Sequence, residues 1–157
     1  LALGFDLVVL GTGERRYEEA MRAAELAHPA HVRVLTRFDN RLAHQIYAAS
    51  DLFLMPSHYE PCGLGQMIAM RYGTLPVVHA TGGLADTVAD SSRDDATGFV
   101  FRELTPGALV DALARAAAAL ARPEELARMR RTAMTRDFSW SASARTYLSV
   151  YERITRQ

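Results

Sequence analysis

The stretch DLFLMPSHYEPCGLGQMIAMRYGTLPVV, Asp51 to Val78, decides how this chain folds. Asp51 to Met55 and Leu75 to Val78 are short, almost continuously apolar runs, as expected of strands covered on both faces. Between them, Leu64 to Tyr72 reads as a helix. A strand, a helix and a second buried strand at this spacing predict a parallel pair joined by a right-handed crossover. The turn from Pro56 to Gly65 is unusually furnished. It holds a glutamate, a proline, the only cysteine and two glycines, where a bare connection needs one glycine and a cap.

Outward from this unit the same alternation continues. Asp6 to Leu10, Val32 to Leu35 and Gly98 to Phe101 are further strand candidates. Glu14 to Ala27, Asn40 to Ala49 and Leu84 to Ala89 are helix candidates. The fold class is therefore α/β, a doubly wound parallel sheet flanked by helices. Past Phe101 only helices follow. Thr105 is placed as an N-cap with Pro106 at the first helical position, and Leu109, Leu113, Ala116 and Leu120 share one face. Pro123 opens a helix to Arg136. A last one spans Ser143 to Ile154, with Tyr147, Val150, Tyr151 and Ile154 as its stripe. Phe138 to Trp140 is expected to pack as an aromatic plug between these two. With no linker or repeat, residues 1–157 form one domain.

Composition narrows the function. The 18 basic and 18 acidic side chains cancel, which gives no electrostatic case for nucleic acid or a charged membrane surface. Arg128, Arg130 and Arg131 read as a solvated helix face. A single cysteine excludes an internal disulfide and fits a reducing compartment. No apolar run approaches the ~20 residues that span a bilayer, and the start LALGFDLVVLGTG has no signal-peptide pattern. The chain opens almost directly in a strand without an initiator methionine, which reads as a piece of something longer.

Ligands of open parallel sheets sit beyond the carboxyl ends of the strands, which makes the loops there the candidate binding segments. Gly11-Thr12-Gly13 lacks the third glycine and the acidic partner of a dinucleotide fingerprint and reads as a tight turn. Phe38 is either core or a stacking face for a base. Glu60 either caps the following helix or binds paired sugar hydroxyls with its two oxygens. Gly63 and Gly65 allow close backbone approach, and the helix start offers amides to an anion. Cys62 reads as a small buried residue, since only His58 stands near it as a base. Thr81-Gly82-Gly83 repeats the device and is either a plain connection or a second wall of the same pocket. The five histidines show no metal-ligand spacing.

Together, PSHYEPCGLGQMIAMRYGTLPVVHATGGLADTV resembles the bacterial glycogen synthases and plant starch synthases, retaining glucosyltransferases of the GT-B fold. The likeness extends to VVLGTGE, IYAASDLFLMPS and DFSW. It implies the C-terminal, Rossmann-like half of a two-domain enzyme, cytoplasmic or plastidial, with ADP-glucose as co-substrate and no further cofactor. The acceptor, an α-1,4-glucan, is held by the N-terminal half. By resemblance, Glu60 is the catalytic carboxylate and binds the 3- and 4-hydroxyls of the donor glucose. Cys62, Gly63, Leu64 and Gly65 face sugar and diphosphate, Phe38 stacks on adenine, and Thr81, Gly82 and Gly83 line the donor pocket. The chain departs from the family at His58, usually arginine, and at Gly65, usually threonine, so a hydroxyl near the phosphates is lost. Phe38 lacks the hydroxyl of the usual tyrosine. The arginine and lysine that neutralise the diphosphate lie, in the family, just N-terminal of Leu1. Ile68 stands where many other retaining transferases carry a second glutamate, which favours the synthase branch. The alternatives are a transferase with another nucleotide sugar, and a nucleotide-binding module that catalyses nothing.

Overall fold

The computed structural model describes residues 2–156. In chain order the elements are β1 (Leu7–Leu10), α1 (Arg15–Ala27), β2 (Val32–Leu35), α2 (Asn40–Ala49), β3 (Leu52–Met55) and α3 (Gly65–Tyr72). They continue with β4 (Leu75–His79), α4 (Gly82–Thr87), β5 (Phe99–Phe101), α5 (Pro106–Leu120), α6 (Pro123–Thr135) and α7 (Trp140–Thr155). Every strand pair is parallel. Leu7 lies opposite Val32, Leu52 opposite Leu75, and Val77 opposite Phe99.

The expected single sheet is divided in two, β1-β2 and β3-β4-β5. Leu7 and Gly11 turn their amides to β2, so alternation turns those of Val8 and Leu10 to the opposite edge. In β3 the Asp51 carbonyl accepts from Leu75, which leaves the backbone groups of Leu52 and Leu54 on the outer edge. Among the described residues no strand pairs with either edge.

The core gathers around β4. Leu75, Val77 and Val78 are fully buried among Met70 of α3, Leu84 of α4, Phe99 of β5 and Met129 of α6. In the β1–α1–β2 unit only Val32 is buried. Thr105 caps α5 through the Ala108 amide with Pro106 in the first turn, as its sequence predicts. The buried line of α5 is Ala112, Ala116 and Ala119, flanked by Leu109 and Leu113. Small side chains let this helix lie close against β5.

Four local expectations change. The helix after β4 begins at Gly82 instead of Leu84, and α7 begins at Trp140 because Ser139 caps it through the Ala142 amide. The aromatic plug does not form: Trp140 is 90% exposed, and Tyr147, Tyr151 and Ile154 are exposed as well. No element of the described chain lies against that face of α7. The basic face of α6 is not simply solvated. Arg128 donates to the Asp94 carbonyl and Arg130 pairs with Asp51 at 2.6 Å.

At the end of α6, Arg136 meets Asp95 at 2.7 Å, and Arg93 reaches the same carboxylate at 2.7 Å. Hydrogen bonds from Arg93 and Arg136 hold the Asp95 carboxyl down at about 2, from an ordinary 3.8. A carboxylate depressed in the folded state contributes stability above its unfolded value and loses it as pH falls through the folded one. Asp95→Asn is therefore expected to lower the melting temperature at pH 7. Thermal melts should show that deficit shrinking as the pH falls from about 3.8 to about 2.

Candidate functional site

Parallel pairing puts the carboxyl ends of β3, β4 and β5 on one edge. The loop from Pro56 to Leu64 and the turn at Ala80-Thr81 leave from there, and the structure brings them into backbone contact. The Gly83 amide donates to the Glu60 carbonyl at 3.0 Å. A methyl group at Gly83 would collide with the Cys62 carbonyl and α-carbon, and one at Gly82 would collide with the Glu60 carbonyl. Gly82 also has a φ of 40°, which disfavours any side chain. The glycine pair is required by packing, and the Gly83 amide, expected to face a ligand, is already engaged.

The amides that remain free are those of the α3 start. The first hydrogen bond of this helix runs from Ile68 to the Leu64 carbonyl. Among the described residues, the amides of Gly63, Leu64, Gly65, Gln66 and Met67 donate to nothing. Gly63 enters this turn with a φ of 74°. Such a cluster at the positive end of a helix is suited to an anion.

Glu60 lies three residues before this cluster in the same loop. It is half-buried, and its carboxylate enters no hydrogen bond or ion pair among the described residues. It makes no capping hydrogen bond: Leu64 occupies the N-cap position and no side chain caps α3. Thr81 holds the N-cap position of α4 without its hydroxyl capping anything. Cys62 is exposed, against the expectation of a small buried residue. Its thiol approaches only the Gly63 carbonyl, at 3.8 Å, and not His58. Leu64 is 67% exposed beside it.

Phe38 stands apart from these loops, beyond the carboxyl end of β2 in the other sheet. It is 89% exposed, which removes the core alternative. Next to it Asp39 caps α2 through the Leu42 amide, and that bond, with Arg37 and Arg41 nearby, holds its carboxyl below the ordinary range. In the Gly11 connection the Gly13 amide is taken by Glu18 at 2.9 Å.

Two features escaped the sequence reading. His79, set aside for lack of metal spacing, places Nδ1 2.8 Å from the Ser57 carbonyl and Nε2 3.2 Å from the Arg102 carbonyl. It ties the start of the Glu60 loop to the end of β5, and its place at the mouth of a buried strand was the available signal. Gly65 has neighbours that explain it: a Cβ there would stand 2.9 Å from Phe53 and 3.3 Å from the Tyr47 hydroxyl. Burial pushes the Tyr47 phenol up, so it stays protonated. Nothing distant in sequence announces that crowding. Among the described residues no cluster of three or more His, Cys, Asp or Glu side chains could hold a metal ion, and no helix is long and apolar enough to cross a membrane.

Residues 3–136 match the glycosyl transferases group 1 family. The chain belongs to that family. It is 50% identical over 156 residues to a glycogen synthase of Syntrophotalea carbinolica, covering 98% of this chain and 32% of that protein. It is 46% identical over 153 residues to a glycogen synthase of Bacillus subtilis, covering 96% of this chain and 32% of that one. Among solved structures it superimposes on the catalytic domain of starch synthase IV from Arabidopsis thaliana, bound to ADP and acarbose. The TM-score is 0.86 at 38% identity, covering 99% of this chain and 34% of the other. The chain thus spans about a third of the length of these relatives. The α/β architecture with parallel strands agrees with the group 1 transferase half implied by the sequence.

The contact at Gly83 yields a test. Its φ is unexceptional, so Gly83→Ala should fail through collision alone. Thermal melts should show a loss of about 3 kcal/mol, whereas Ala at Gly107, which has open space around it, should leave stability nearly unchanged.

Proposed function

We propose that this chain is the donor-binding part of a glycogen or starch synthase. Within the longer polypeptide it serves the transfer of glucose from ADP-glucose to the 4-hydroxyl at the non-reducing end of an α-1,4-glucan, with retention. The reading is carried by one juxtaposition: an unengaged carboxylate at Glu60 three residues before five unengaged amides, Gly63 to Met67. The 38% identity to a starch synthase bound to ADP and acarbose supports ADP as the nucleotide and a glucan as the second substrate.

In this assignment the diphosphate lies on the α3 start. There, fixed amides meet charge as it develops on the leaving group, without the reorganisation that water would need. Glu60 accepts from two neighbouring glucose hydroxyls and orients the anomeric carbon. Phe38 stacks on the adenine. Thr81 and Gly82 line the pocket, and Gly83 acts by holding the Glu60 loop in place. Amides supply the charge stabilisation, so no metal is called for. The glucan is met by parts of the longer polypeptide outside this chain.

Calorimetric titration with ADP, ADP-glucose and UDP-glucose tests the reading. Glu60→Ala is expected to weaken ADP-glucose by about tenfold or more, in keeping with hydrogen bonds to a charged group, and to leave ADP unchanged. Phe38→Ala should weaken both adenine ligands by about tenfold, the usual effect of a lost base stack, while EDTA changes nothing. Equal losses for ADP and ADP-glucose in Glu60→Ala would take Glu60 away from the sugar. Equal affinity for ADP-glucose and UDP-glucose would remove the adenine assignment.

A further inference from the structure

Gln66 is completely buried at the second position of α3. Its side-chain nitrogen lies 3.1 Å from the Cys62 carbonyl, 2.8 Å from the Gly63 carbonyl and 3.1 Å from the Thr87 hydroxyl. Both carbonyls can only accept. Thr87 gives its own proton to the Gly83 carbonyl at 2.6 Å, so it too must accept from Gln66. The amide orientation is fixed by these partners. Its oxygen, Oε1, is buried and has no partner at all. It lies over the Gly63 α-carbon, where a side chain would collide with it.

A residue that merely filled this space would be better apolar, since an unpaired buried acceptor is a cost. What Gln66 contributes passes through its nitrogen, and those bonds form a circuit. The two N–H groups of Gln66 are shared among the Cys62 carbonyl, the Gly63 carbonyl and the Thr87 hydroxyl. Thr87 donates to the Gly83 carbonyl, and the Gly83 amide donates to the Glu60 carbonyl. The second half of the Glu60 loop is thereby fastened to α4. The position of Oε1 keeps residue 63 a glycine, which also takes the left-handed turn at the entry to α3.

We infer that Gln66 is a positioning residue, which sets the Glu60 carboxylate and the α3 amides in the geometry that receives the donor, acting through Thr87 and Gly83. The inference rests on the donor-binding assignment for its functional part, but the fastening itself is measurable without ligand. The experiment compares the wild-type chain with Gln66→Met, Thr87→Val and Thr87→Ser. Hydrogen exchange is read at the Gly83 amide, which the circuit protects, and at the Leu75 amide, which donates to Asp51 in the fully buried sheet. ADP-glucose affinity is measured in parallel.

Gln66→Met and Thr87→Val are expected to speed exchange at Gly83 about tenfold more than at Leu75 and to weaken ADP-glucose about tenfold. Thr87→Ser restores the hydroxyl and should match wild type in both. If Gly83 and Leu75 accelerate equally, Gln66 is an ordinary core residue and the proposal is wrong. Unchanged exchange at Gly83 overturns it as well. Selective loss at Gly83 with undiminished affinity leaves the fastening and removes its part in binding. Should the wild-type chain fail to bind ADP-glucose, the donor assignment falls for this chain, while the exchange ratio still decides whether Gln66 holds the loop. Thr87→Val guards against a Gln66 variant that does not fold, because it changes one atom's chemistry at nearly constant shape.

Discussion

Two backbones meet without side chains between them where Gly82 and Gly83 pass under Glu60 and Cys62. Much of the site follows from that contact. It brings the loops after β3 and β4 within amide-to-carbonyl reach, and the Gly83–Glu60 bond then fixes the second loop as a support for the first. A side chain of any size would separate them. The glycines therefore serve fit, with left-handed backbone an additional demand at Gly82 and Gly63. The α3 amides stay free because the chain reaches the helix through an uncapped Leu64. An N-cap side chain would have occupied the donors that give this place its character.

Support for the contact comes from β4. Leu75, Val77 and Val78 are buried on both faces, and α3, α4, α5 and α6 all bear on the same core. The three-stranded half is thus a stiff platform whose carboxyl edge carries the Glu60 and Gly83 loops, with His79 pinning the platform's last strand to the loop's beginning. Asp90 performs a similar office on the far side. Burial acts to raise its carboxyl, but the Val100 amide, Arg115 and Ser92 outweigh that and hold it below the ordinary range. It stays an anion that fastens β5 to α5.

The apolar runs and their spacing made the strands legible, because a strand buried on both faces has little choice of composition. Thr105-Pro106 was equally plain, since cap and first-turn proline act within a few residues. The Glu60 turn stood out for the same reason: its chemistry is concentrated in one short segment. What stayed hidden depends on neighbours far along the chain. Crowding of Gly65 by Phe53 and Tyr47, the place of His79 between the Ser57 and Arg102 carbonyls and the employment of the Gly83 amide all join residues from different loops. The division of the sheet was hidden because identical apolar runs serve paired and unpaired edges alike. Trp140 and the stripe of α7 misled for a related reason. Amphipathic spacing states that a face is apolar, not that this stretch of chain provides its cover.

The uneven distribution of the core has a consequence for how recognition is divided. Phe38 extends from the β1–α1–β2 unit, where Val32 alone is buried, whereas Glu60 and the α3 amides extend from the densely packed half. Regions with few buried apolar contacts open at lower free energy than the rest of a molecule. The residues assigned above to base and sugar therefore stand on two parts that open at different free energies, and warming loosens the support of Phe38 before that of Glu60.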